Sequence, residues 1–100
     1  MDVHFVYAGL RFCWDVGKAA ANLKKHRIRF EQACEVFADR FFRLVDATAG
    51  DEARDAVIGM TEDLTLLFVV HVVRDRGGVI RIISARKATR AERRLYEDNV

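Results

Sequence analysis

The side chains of this 100-residue chain with the types and spacing to act on a phosphate are cations and one histidine: Lys25 with His26, Arg54, Arg81, and Arg86 with Lys87. Arginine and lysine stay charged at neutral pH, and the arginine fork matches two phosphate oxygens. Histidine titrates near neutrality and can move a proton there. Arg54 stands near the start of an apolar run and reads as a phosphate ligand pointing out of a sheet; the competing reading is an ion pair with Asp46 across a hairpin. Arg86 and Lys87 close another run, where a solvated strand end is the plain alternative. Lys25 and His26 fall at a helix end, where the helix dipole favours a cation and a histidine can cap carbonyls. Arg81 and Arg86 have opposite parity along one strand, so they are not expected on one flat face.

No glycine-rich phosphate fingerprint, zinc-ligand spacing or nucleophile elbow occurs, which weakens nucleotide-cofactor, metalloenzyme and serine-hydrolase readings. Neither a metal nor a cofactor is expected. Cys13 and Cys34 sit among apolar neighbours and read as reduced core residues. His71 lies in the most apolar strand and reads as a satisfied core histidine. Trp14 and Phe30 could stack on bases, but aromatic residues at element boundaries normally bury themselves. Tyr96 could pack, stack or donate a proton, and packing comes first.

The elements that must position these residues have to fit one core, since a chain of this length forms a single domain, residues 1–100. A composition 51% hydrophobic and 32% charged suits an ordered globule. No apolar run reaches about 18 residues, and no basic and apolar leader follows Met1, so a cytoplasmic protein with no membrane contact is expected. The net charge is only +2, yet it is polarised. Arg74 to Arg94 holds eight basic residues against Asp75 and Glu92, whereas residues 41–73 carry Asp46, Asp51, Glu52, Asp55, Glu62 and Asp63 against Arg43 and Arg54. Such asymmetry attracts polyanions to one face.

Residues 12–14 read as a strand, with residues 1–10 an N-terminal extension or an extra strand at 4–7. Asp15 caps a helix over 16–25, in which Val16, Ala19, Ala20 and Leu23 recur at helical spacing. Phe30, Ala33, Cys34 and Phe37 mark a second helix. β-rich runs follow at 41–46, 53–60, 64–74 and 79–86, joined by short polar turns that suit antiparallel neighbours. The run 64–74 is apolar enough for the middle of the sheet. Thr89 and Glu92 form a capping box that opens a last helix over 90–98. The class is α+β, a largely antiparallel sheet with two N-terminal helices and a C-terminal helix, in the order β-α-α-β-β-β-α.

Three stretches carry a resemblance: Trp14-Asp15 with Lys18, Asn22 and Lys25-His26, followed by Phe30-Glu31; Arg54 with Ile58-Gly59; and Ile82-Ile83-Ser84-Ala85-Arg86-Lys87-Ala88 with Glu92-Arg93 and Tyr96. Together they resemble the BrnT toxins. That resemblance implies a RelE-like fold and a metal-independent ribonuclease that cleaves RNA and inhibits translation. It also implies a cognate ribbon-helix-helix antitoxin, BrnA-like, through which alone the chain would meet DNA. Two positions depart from the family pattern: Arg27 stands where a glycine is usual, and Arg29 where a polar capping residue is usual. Without the glycine the turn between the helices is expected to differ.

Metal-free RNA cleavage needs a base for the 2′-hydroxyl proton, cations for the crowded phosphate and an acid for the leaving 5′-oxygen. On this reading Arg54, Arg86, His26 and Lys25 are the catalytic candidates, and Lys18, Arg81 and Lys87 bind RNA. A different reading keeps the toxin fold but makes the chain a non-catalytic antitoxin-binding module or co-repressor; the absence of an unambiguous general base favours it. A third is an α+β domain that contacts nucleic acid nonspecifically.

Overall fold

The computed structural model describes residues 1–48, 50–51 and 53–98. Glu52, one of the acids counted in the central segment, lies outside them. The elements are β1 (Asp2–Tyr7), β2 (Leu10–Asp15), α1 (Val16–His26), α2 (Phe30–Cys34) with a 3₁₀ turn Glu35–Ala38, β3 (Arg43–Asp46), β4 (Asp55–Met60), β5 (Leu66–Arg74), β6 (Val79–Lys87) and α3 (Arg90–Glu97). The α+β class holds, but the order is β-β-α-α-β-β-β-β-α: the four β-rich runs after the helices each form a strand, where the order β-α-α-β-β-β-α counted only three, and a strand precedes β2. Residues 2–7 pair with β2 along their whole length, so the N-terminal stretch is an edge strand.

The six strands lie in the order β1-β2-β6-β5-β4-β3. Every neighbouring pair is antiparallel except β2 and β6, which run parallel through Phe12↔Ile80 and Cys13↔Arg81. β5 sits between β6 and β4, as its apolar run requires. It starts two residues later than expected, because Leu64 belongs to the preceding turn, with φ 65° and 78% exposure.

Local chemistry explains the helix ends. The Asp15 carboxylate accepts from Lys18 N–H at 2.9 Å and starts α1. At the other end Arg27 takes the left-handed conformation, φ 62° and ψ 26°, and donates its N–H to Leu23 O at 2.9 Å. The closing bond is made without a glycine, and the cost falls on an arginine in a conformation that suits glycine. Arg29 gives α2 no side-chain cap, and α2 passes into the 3₁₀ turn after Cys34. The Thr89–Glu92 capping box is present in full at α3.

Alternation along the strands divides the core between two faces. One face buries Phe12, Trp14, Val57, Leu67, Val69 and Ile82 with Phe30, Ala33, Cys34 and Val36 from α2 and the 3₁₀ turn. Gly59 permits this packing: a Cβ there would stand 2.8 Å from Val36 Cβ and 2.9 Å from Val36 O. The opposite face buries Ile58 and Leu66 against Tyr96 of α3, with Phe68 and Val45 at the margin. α3 is tied down by Tyr96 O–H, which donates to Asp39 Oδ2 at 2.7 Å, the same oxygen that accepts from Met60 N–H at 2.8 Å. Among the described residues no helix is long and apolar enough to cross a membrane.

Candidate functional site

Pairing between β5 and β6 shifts between Val70 and His71: Val70 opposes Ser84, His71 opposes Ile82, and Ile83 is the extra residue. A bulge of this kind reverses the parity of everything beyond it. Directly paired residues share a face, so Val72↔Arg81, Val70↔Ser84 and Phe68↔Arg86 place Arg81, Ser84 and Arg86 on the same face. This corrects the sequence reading that kept the two arginines apart; that reading assumed an unbroken period of two.

Cross-strand rows follow on this face. Ile58, Phe68 and Arg86 form one, and Ala56, Val70 and Ser84 the next, roughly 7 Å away. Val72 and Arg81 form a third. Arg54 stands one residue before β4, its carbonyl accepting from Ala47 N–H at 3.0 Å, and alternation sets it with Ala56 and Ile58. A row of small side chains, buried at Ala56 and partly exposed at Val70 and Ser84, thus lies between rows that carry arginine. Side chains as long as arginine can reach toward it from both sides.

The two β6 arginines are held by carboxylates. Arg81 Nη1 and Nη2 donate to the Asp2 carboxylate at 2.9 and 3.0 Å, which lowers the Asp2 pKa. Arg86 Nη1 and Nη2 donate to Glu92 Oε1 and Oε2 at 2.7 and 2.9 Å, and its guanidinium lies 4.3 Å from the Phe68 ring centroid. That pairing holds the Glu92 carboxyl below its ordinary range and raises the Arg86 pKa. Arg86 is therefore not a solvated strand end, although 36% of its side chain stays exposed. Lys87 is exposed where β6 ends.

Lys18, Lys25 and His26 come together on α1. With Ala21, Asn22, Ile83 and Ser84 they line an open cavity of about 240 Å³ between the helix and β6. This cavity exists because β2 pairs with β6 at only two positions before the chain turns into α1. Asn22 takes over from the missing strand: its Nδ2 donates to Ala85 O at 2.9 Å and Ile28 O at 3.0 Å, and its Oδ1 accepts from Ala85 N–H at 3.0 Å. Ser84 belongs both to this cavity and to the row of small side chains. The candidates thus form two groups that meet at Ser84: Lys18, Lys25 and His26 on the helix, and Arg54, Arg81 and Arg86 on the sheet face.

Other candidates fall into the core. His71 is buried, its ring edge-on to Phe37, and burial lowers its pKa. Trp14 and Phe30 pack against each other edge-to-face. Tyr96 is buried; burial and the bond to Asp39 raise its phenol to about 12. Both cysteines are buried thiols, and burial pushes the Cys34 thiol up. Sequence reasoning assigned no task to Asn22 or to the carboxylate of Glu92 toward Arg86; the capping-box spacing and its place in the family motif marked Glu92, but not this pairing.

Comparison with protein families gives a match over residues 14–92 to the family described as "Ribonuclease toxin, BrnT, of type II toxin-antitoxin system". No curated protein matches the chain.

Proposed function

Since the chain belongs to the BrnT family of ribonuclease toxins, whose type II systems pair a toxin with an antitoxin, we propose that it is a metal-independent endoribonuclease of RelE-like fold. Its cleavage of RNA inhibits translation, and a ribbon-helix-helix antitoxin neutralises it. The observation that carries this reading is the meeting, at Ser84, of the helix cations and histidine with the arginine-bearing sheet face. RNA laid across that surface meets a proton acceptor on one side and charged forks on the other.

In the reaction the 2′-oxygen forms a bond to phosphorus as its proton passes to His26. The bond from phosphorus to the 5′-oxygen breaks, the 5′-oxygen takes up a proton from solvent water, and a 2′,3′-cyclic phosphate remains. Arg54 and Arg86 stabilise the charge that builds on the phosphate oxygens, and Lys25 adds a cation beside His26. Lys18, Arg81 and Lys87 hold the flanking backbone. The antitoxin is the chain's route to DNA, and the site of action is the cytoplasm.

The carboxylates on Arg81 and Arg86 favour a second reading, a non-catalytic module that only holds its antitoxin, because they offset two of the cations that RNA would need. Induction of the chain in bacteria, alone and together with its neighbouring reading frame, separates the two. Growth arrest by the chain alone, relieved by the neighbour and weakened by Arg54→Ala, is the expected result. Normal growth with the folded chain present, together with tight binding to the neighbour's product, would establish the module instead.

A further inference from the structure

The pairing of Arg86 with Glu92 has a geometry that bears on how Arg86 could meet a phosphate. A guanidinium offers two edges that each present a parallel pair of N–H groups: the end-on edge of Nη1 and Nη2, and the side edge of Nε and Nη2. Glu92 takes the end-on edge, one oxygen to each nitrogen, at 2.7 and 2.9 Å. The second Nη1 hydrogen points toward Lys87 O, 3.3 Å away. Among the described residues no hydrogen bond takes the side edge, which is left to meet a second oxyanion. Phe68 lies under the plate at 4.3 Å and fixes its tilt, while Glu92 fixes its rotation within the plane.

Glu92 is itself pinned. Its Oε1 also accepts from Thr89 N–H at 2.9 Å, and its own N–H donates to Thr89 Oγ1 at 3.2 Å. The carboxylate is therefore referenced to the backbone at the start of α3, and it carries that reference to the guanidinium. A merely stabilising surface pair has no need of such support, since two flexible side chains in solvent gain little from it.

We propose that Glu92 is a positioning residue for the cleavage reaction: it holds the end-on edge of Arg86 so that the Nε and Nη2 edge faces the scissile phosphate. This rests on the reading of Arg86 as a phosphate ligand. The test compares four full-length variants in single-turnover RNA cleavage and in binding of a noncleavable RNA. Glu92→Gln keeps a capping-box acceptor but loses the charged bidentate grip. Its cleavage rate constant should fall by about 10- to 100-fold, as expected when a reacting group is misplaced by an ångström. Its RNA affinity should stay the same or rise, because an acid has been removed. Thr89→Ala, which weakens the helix start without touching Arg86, should cleave at the wild-type rate while folded. In Arg86→Ala, adding Glu92→Gln should cost nothing further.

The failures are distinct. A wild-type rate in Arg86→Ala would remove the underlying reading of Arg86. An impaired Arg86→Ala beside an unimpaired or faster Glu92→Gln would overturn the positioning role and leave that reading standing. Equal losses in Thr89→Ala and Glu92→Gln would reduce Glu92 to a helix cap.

Discussion

At position 71 the chain places a histidine opposite Asp55 in the β4–β5 ladder, 3% exposed and with its ring 5.0 Å from Phe37. Burial disfavours its charged form and lowers its pKa from an unfolded value of 6.5, against weaker opposing effects from Val69 O and Asp55. The unfolded chain thus binds this proton more readily than the folded one. Stability from the neutral ring is complete above about pH 6.5 and is lost as pH falls from there through the folded value. Denaturant midpoints measured from pH 8 to 5 should decline below pH 6.5, and His71→Phe should flatten that decline; an unchanged slope in the variant would remove His71 as its source. The buried role of His71 was legible because its neighbours are apolar. The tasks of Asn22 and Glu92 were not, since each depends on a partner on another element that no local spacing announces.

Among the elements, two backbone positions make opposite demands. Arg27 closes α1 in the left-handed region, which costs a side chain about 1–2 kcal/mol relative to the ordinary helical conformation. Arg27→Gly should therefore raise stability by about 1 kcal/mol, less what glycine adds to the freedom of the unfolded chain, and lift Tm by several degrees. Gly59 must remain bare, because any Cβ would meet Val36 within 3 Å. Gly59→Ala should destabilise by roughly 1–3 kcal/mol. Thermal melts of both variants decide this, and a neutral Gly59→Ala would show that β4 and the 3₁₀ turn can separate freely. Helix starts at Asp15 and Thr89 were readable because caps have local signatures. Two features lay beyond such reading: the parallel contact of β2 with β6, which joins distant segments, and the bulge at Ile83, a single added residue with no periodic trace. It was the bulge that brought Arg81 and Arg86 to one face.

Over the whole molecule, the basic C-terminal third is less uniform in space than in sequence. Arg81 and Arg86 are held by Asp2 and Glu92, while Lys87, Arg90, Arg93 and Arg94 stay exposed. Exposed cations steer a polyanion and lose strength with salt; the carboxylate-held pair supplies fixed direction instead. On the proposed function, these cations and His26 cleave RNA without help from a metal ion. The most direct test of that reading incubates the purified, folded chain with single-stranded RNA in excess chelator and identifies the new ends. Cleavage at an undiminished rate, with 2′,3′-cyclic phosphate ends and a loss on the order of 10²-fold in Arg86→Ala, is the predicted result. Intact RNA at micromolar folded protein, or cleavage that returns only when a divalent metal is restored, would contradict it.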